Sequence, residues 1–155
     1  LTLSRLDSKA DLATESLDLR QLLQQAVIDH YSQAQAAGME IALEAPPSPI
    51  IRNGNALLLS LMMRNLVENA LRYGQSGNLV QLSINENGLA VTDNGPGVSK
   101  EDLCRLGQRF YRPPGQEKSG SGLGLSIVNR IARLHGMQMR CANRDGGGFA
   151  VMLTW

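Results

Sequence analysis

The sequence predicts an α+β sandwich, with helices packed on one face of a sheet. Three stretches carry apolar residues at three- and four-residue spacing, and others alternate apolar and polar residues in hairpin-like pairs. The two patterns are interleaved along the chain. Its 155 residues suffice for one domain with its own core.

Residues 18–36 read as an amphipathic helix built on Leu19, Leu22, Leu23, Ala26, Val27, His30 and Tyr31, with Asp18 and Gln21 as a capping box. Gly38 ends it, and 39-MEIAL-43 alternates as a strand. The prolines of 45-APPSP-49 cannot donate ladder hydrogen bonds, so that segment is a loop. A second helix, rich in Leu and Met, runs from about Asn55 to Tyr73. After the turn 74-GQSGN-78, Val80, Leu82 and Ile84 line one face of a strand, and Asn87-Gly88 turns the chain into 89-LAVTD-93. Residues 94–121, rich in Gly, Pro and polar side chains, read as a long loop of the kind that forms lids, with one short helix around 99–107. A third long helix follows from Leu123 to about His135. The ending, 137-MQMRCAN-143, a glycine turn and 148-GFAVMLTW-155, reads as a hairpin with Phe149, Val151, Leu153 and Trp155 on one face.

Composition narrows the function. Fifteen Lys and Arg face 14 Asp and Glu, a net charge of +1, which leaves no basic footprint for nucleic acid. No apolar run approaches the roughly eighteen residues of a membrane span, and no signal-peptide pattern opens the chain. Cys104 and Cys141 lie far apart without metal-ligand spacing, as expected of reduced thiols in a cytosolic setting. The first residue is not Met, and 1-LTLSRLDS-8 reads as the end of a helix begun earlier, so the chain is expected to be cut from something larger.

Three stretches carry candidate chemistry. In 119-SGSGLGLSIV-128 the glycines are spaced G-x-G-x-G, with Leu125 where a dinucleotide fingerprint needs its third glycine, and polar loop precedes them instead of a strand. No Gly-Lys-Ser or Gly-Lys-Thr ending marks a P-loop either. Glycines opening a helix leave N–H groups pointing at whatever sits there, or else they only cap and pack the helix. Asn65 and Asn69 stand one turn apart on the second helix, beside the apolar stripe of Leu58, Met62, Leu66 and Ala70. Their carboxamides suit a hard cation such as Mg²⁺, a phosphate, ordered water or each other. Arg72 and Tyr73 add a cation and a flat ring to that side. Asp93 ends a strand before 94-NGPG-97; its carboxylate can accept from an exocyclic amine, although the pentapeptide alone reads first as an ordinary turn.

Taken together and in this order, the stretches resemble the histidine-kinase members of the GHKL ATP-binding superfamily. The segment 64-RNLVENALRY-73 resembles the family's N box, 93-DNGPG-97 its G1 box, 109-RFYRP-113 its F box and 120-GSGLGL-125 its G2 box. The wording of 109-RFYRPPGQ-116 and 120-GSGLGLSIV-128 is most similar to the QseC-like branch. The resemblance implies a Bergerat-type two-layer α/β sandwich, a mixed sheet on three main helices, with ATP held between the N-box helix and a lid at about 94–121. It implies that residues 1–10 are the tail of a preceding dimerisation and phosphoacceptor helix, and 11–155 the catalytic domain.

By position, the resemblance makes Asn69 a ligand of Mg²⁺ and places Asn65 beside the phosphates or the metal-bound water. Arg72, where the family often has Lys, approaches the phosphates; Tyr73 packs on the base or ribose; Asp93 binds the adenine amine, with Gly95 and Gly97 leaving room. Arg109, Arg112 and Lys118 of the lid become γ-phosphate contacts, Asn65 and Arg112 the catalytic pair. Gly120, Ser121, Gly122, Leu123, Gly124 and Leu125 form the turn and helix start facing the phosphates. The implied activity is transfer of the γ-phosphate of Mg-ATP to a histidine on the kinase's own phosphoacceptor domain, for relay to a response regulator, in the cytoplasmic part of a bacterial inner-membrane receptor. The family's acceptor sits in a His-Glu or His-Asp helical motif well before the N box. Neither His30, on an apolar stripe, nor His135, before Gly136, matches it.

Two alternatives remain at this level: a nucleotide-binding module without transfer, and a GHKL ATPase. Asn65 stands where hydrolysing relatives carry a water-activating Glu, and an amide cannot act as that base. Glu68, about 100° round the helix from Asn69, is expected to face elsewhere. The segment 146-GGGF-149 lacks the Thr often found there, a departure expected to touch packing more than chemistry.

Overall fold

The computed structural model describes residues 12–74, 77–97 and 124–155. Along the chain they form β1 (Glu15–Asp18), α1 (Leu19–Ala36), β2 (Glu40–Glu44), β3 (Ile51–Gly54), α2 (Ala56–Tyr73), β4 (Leu79–Asn85), β5 (Gly88–Asp93), α3 (Gly124–Leu134), β6 (Gln138–Asn143) and β7 (Phe149–Thr154). The main sheet has the order β2-β4-β5-β7-β6; β2 runs parallel to β4, and every other neighbour is antiparallel. It is a mixed sheet under three helices, the α+β sandwich that the sequence predicts.

The core lies between the two layers. Val80, Leu82 and Ile84 of β4, Leu89 and Val91 of β5, and Phe149, Val151 and Leu153 of β7 are buried on the sheet side. Against them stand Leu19, Leu23 and Ala26 of α1, Val128, Ile131 and Ala132 of α3, and the middle of α2. In α2 the pairs Leu58-Leu59, Met62-Met63, Leu66-Val67 and Ala70-Leu71 are all buried, twice the width of a surface helix's stripe. That width suits a helix packed between α1, α3 and the sheet.

The helix ends follow their cap residues. Asp18 Oδ1 accepts from the N–H groups of Arg20 (3.0 Å) and Ile50 (3.1 Å), so one carboxylate caps α1 and ties down the approach to β3. Gly38, with φ of 72°, closes α1 in the left-handed region. The apolar stripe of α1 is narrower than the sequence predicts: His30 and Ala34 are buried, but Tyr31 is 53% exposed and receives a hydrogen bond from Gln35. The pair β1 and β3, an antiparallel ribbon of four residues each, is an addition to the expected elements.

Asn55 joins three parts of the molecule. Its Oδ1 caps α2 through the Leu58 N–H (3.0 Å), its Nδ2 donates to the Ala13 carbonyl (2.9 Å), and its backbone N–H donates to His135 Nε2 (3.1 Å). His135 Nδ1 faces the Ile131 carbonyl at 2.7 Å and must be the protonated nitrogen, which makes Nε2 the acceptor. Replacing His135 by Phe keeps a ring but leaves the Asn55 N–H without that acceptor. A loss of about 1–3 kcal/mol in urea unfolding is expected; an unchanged midpoint would show that the contact does not hold the two helix ends.

Candidate functional site

Asp93 ends β5 and is 3% exposed. Its Oδ1 accepts the Gly95 N–H at 2.8 Å, and the Phe149 N–H also bonds the carboxylate. Burial pushes its carboxyl above the usual aspartate range; the Gly95 and Phe149 N–H groups and the Arg144 charge pull the other way and offset only part. A buried carboxylate held in place at a strand end by two N–H groups can still accept a hydrogen bond from a ligand donor, because each oxygen has more than one lone pair.

The end of α2 is pressed onto this carboxylate. A Cβ on Gly74, the residue after α2, would lie 2.9 Å from Asp93 Cβ and Cγ, and one on Gly95 would lie 2.7 Å from Gly74 Cα. A third glycine closes the back: Gly148, at φ of 111°, packs where a Cβ would collide with the Asp93 carbonyl oxygen. Gly97, with φ of 77°, packs its backbone against Asn143 and Gly148. Asn94 holds the loop to the start of β4, accepting from the N–H groups of Asn78 and Leu79 at 2.9 Å each.

Moving back along α2 from Gly74, Asn69 lies about 7 Å away along the axis and Asn65 about 13 Å. Asn69 is half-buried, and its carboxamide has no hydrogen-bond partner among the described residues. Asn65 turns Nδ2 back to the Leu61 carbonyl at 2.9 Å, leaving its oxygen to accept. Arg72 is half-buried on the last turn and already engaged. Tyr73 closes the helix; its side chain lies outside the described residues. Glu68 accepts from Arg64 Nε at 3.1 Å and lies 3.9 Å from His30 Nε2, so it faces α1, as its angular offset from Asn69 requires.

Helix α3 completes the arrangement. Its C-terminal end meets the start of α2 through His135 and Asn55, and it packs along α2, so the two helices run antiparallel. Eleven residues rise about 16 Å, which brings Gly124, the first residue of α3, level with the turn of α2 that carries Asn65. The N–H groups of a helix start favour an anion. Leu125 is 4% exposed in the core, so only its backbone can serve a ligand. Arg109, Arg112, Lys118, Gly120, Ser121, Gly122 and Leu123 lie outside the described residues, as do Cys104 and the expected short helix.

The family model of histidine kinase-, DNA gyrase B- and HSP90-like ATPases matches residues 54–155. The chain belongs to this family. Sensor protein QseC of Escherichia coli K12 is 50% identical over 156 residues, aligned with all of this chain and 35% of its own length. Sensor histidine kinase CpxA of the same organism is 30% identical over 158 residues, 99% of this chain and 35% of its own. Among solved structures, the cytoplasmic segment of histidine kinase QseC superposes with a TM-score of 0.76 at 39% identity, covering 100% of this chain and 86% of that one. Full-length ShkA in complex with AMPPNP superposes with a TM-score of 0.78 at 26% identity, over 97% of this chain and 33% of that one. The chain spans about a third of the length of the curated sensor kinases it matches.

The structure gives the glycines of 145-DGGGF-149 a place that the sequence alone does not. Gly148 and Phe149 form the wall behind Asp93, and Arg144 bonds the Asp93 carbonyl from the same turn at 3.0 Å. All three glycines of the turn have positive φ, but only Gly148 makes the close approach to Asp93. Elsewhere, a groove of about 450 Å³ between α1 and α2 is lined by Leu57, Leu61, Gln25, Asp29, Arg64 and Glu68, on the side of α2 that Glu68 faces.

Proposed function

We propose that this chain binds Mg-ATP and transfers its γ-phosphate to a histidine on a separate dimerisation and phosphoacceptor domain of the same sensor kinase, for relay to a response regulator. The observation that carries the reading is the knot of Gly74, Asp93 and Gly95, which fixes a buried carboxylate at the end of the helix bearing Asn69 and Asn65. A nucleotide with its base amine on Asp93 would run its phosphates along α2 towards the start of α3.

The residues fit Mg²⁺. Asn69 offers a hard carboxamide oxygen without a protein partner among the described residues, and the Asn65 oxygen is left to accept on the same face. Bound there, the ion would neutralise phosphate charge. The chain itself positions: Asp93 orients the base, and the α3 N–H groups with Arg72 hold the phosphate side. The lid cations Arg109, Arg112 and Lys118 belong to the same proposal. Asn65 has no basic atom with which to activate water, which favours transfer over hydrolysis.

The acceptor histidine is assigned to the partner domain because both histidines here serve packing. His30 is 7% exposed with Nδ1 at 2.8 Å from the Ala26 carbonyl, and His135 bridges α2 and α3. Among the described residues no helix is long and apolar enough to cross a membrane. The proposed setting is the cytoplasmic side of an inner-membrane receptor, without nucleic acid partners. The test incubates this domain with γ-labelled ATP, Mg²⁺ and a purified fragment carrying the acceptor helices. Acid-labile label on that fragment is expected; nucleotide binding without transfer would make the domain a regulatory module, and steady phosphate release without acceptor an ATPase.

A further inference from the structure

The turn between β6 and β7 reaches 51 residues back in the chain to the end of β5. Arg144 Nη1 donates to the Asp93 carbonyl oxygen at 3.0 Å, while the turn is closed by the Arg144 N–H on the Gly148 carbonyl (2.9 Å) and the Gly147 N–H on the Arg144 carbonyl (3.2 Å). The same turn supplies the Phe149 N–H to the Asp93 carboxylate. One side chain therefore anchors the backbone of Asp93 while its neighbour holds the carboxylate.

Charge on this side chain matters as well as its reach. The elements around Asp93 carry Arg64, Glu68 and Arg72 on α2, Arg140 on β6, and Arg144 and Asp145 in the turn; β4 and β7 carry none, nor does β5 apart from Asp93 itself. Arg64 and Glu68 are turned towards α1 and pair with each other. Among these groups Arg144 is the cation whose field acts on the Asp93 carboxylate, opposing the effect of burial.

We propose that Arg144 is a positioning residue for the base pocket: by tying the β6–β7 turn to the Asp93 carbonyl and placing a cation beside its carboxylate, it keeps Asp93 set as the ionised acceptor for a purine's exocyclic amine. This rests on the nucleotide reading above and adds a residue that touches no ligand. It also predicts base selectivity, because an ionised acceptor favours adenine, with its amine, over hypoxanthine, with a carbonyl at the same position.

The test measures affinity for ADP and for inosine diphosphate by calorimetry between mild acid and neutral pH, on wild type, Arg144→Gln and Arg144→Lys. Arg144→Gln keeps a donor and removes the charge. It is expected to lose ADP affinity severalfold, and the pH at which ADP binding falls away should move up. Arg144→Lys should keep the wild-type acid limb. Thermal melts confirm that each variant is folded, and ADP preference over inosine diphosphate should narrow in Arg144→Gln alone. An acid limb that does not move in Arg144→Gln, or moves equally in Arg144→Lys, overturns the role of Arg144 while wild-type ADP binding still upholds the site. Failure of the wild type to bind ADP overturns the site itself.

Discussion

Asp93→Ala is expected to abolish ADP and ATP binding and leave the domain folded. The substitution removes the acceptor for the base amine, a charge-assisted contact worth about 2–4 kcal/mol in a buried setting. It also strands the Gly95 and Phe149 N–H groups, but removes a charge that burial disfavours, so the two stability effects oppose each other. Asp93→Asn separates them, because an amide oxygen can still take the Gly95 N–H while the charge is gone. Calorimetry with ADP beside a thermal melt reads both quantities, and wild-type affinity in either variant would remove Asp93 from the site.

The same carboxyl sets a pH dependence with a definite sign. Burial raises its folded pKa above the unfolded aspartate value. ADP affinity, which needs the ionised form, should be full above the folded pKa and fall as pH drops through it, at milder acidity than an ordinary aspartate would give. Stability of the empty domain moves oppositely for this group: the charged form costs stability above the folded pKa, and that cost is relieved as pH falls through it. Affinity that stays flat down to ordinary carboxylate titration would contradict the assignment.

Asn69→Ala carries the second large effect. Alanine is a better helix former by roughly 0.5 kcal/mol, and the carboxamide has no partner to lose among the described residues, so unfolding should show equal or slightly higher stability. Phosphotransfer should nevertheless be lost, along with the Mg²⁺ dependence of ATP binding, while metal-free ADP still binds. Asn69→Asp, which retains an oxygen ligand, should recover part of the metal dependence. Wild-type turnover by Asn69→Ala would sink the metal role.

Much of the frame was legible because its signals are local. The 3.6-residue pattern of Leu and Met marks α2, and Asn65 and Asn69 stand out on it because neither belongs on an apolar helix without a reason. Asn87-Gly88 marks the β4–β5 hairpin, where Asn85 Oδ1 takes the N–H groups of Asn87 and Gly88. The ribbon of β1 and β3 escaped because four residues, 15-ESLD-18 and 51-IRNG-54, are too short to display alternation, and their pairing is non-local. Tyr31 fits the helical period but falls at the stripe's edge, where solvent and Gln35 claim it. The contributions of Gly74, Arg144 and Gly148 to the Asp93 pocket depend on contacts between segments distant in sequence, which no spacing rule reports.

In the proposed complex, nucleotide lies along α2 from Asp93 towards the start of α3. Amide chemical-shift mapping on the wild-type domain with Mg-ADP tests it most directly. Perturbations are expected to concentrate on residues 65–74, 93–97, 124–128 and 148–149. Perturbations concentrated instead on Gln25, Asp29, Leu57 and Arg64, around the α1–α2 groove, would contradict it.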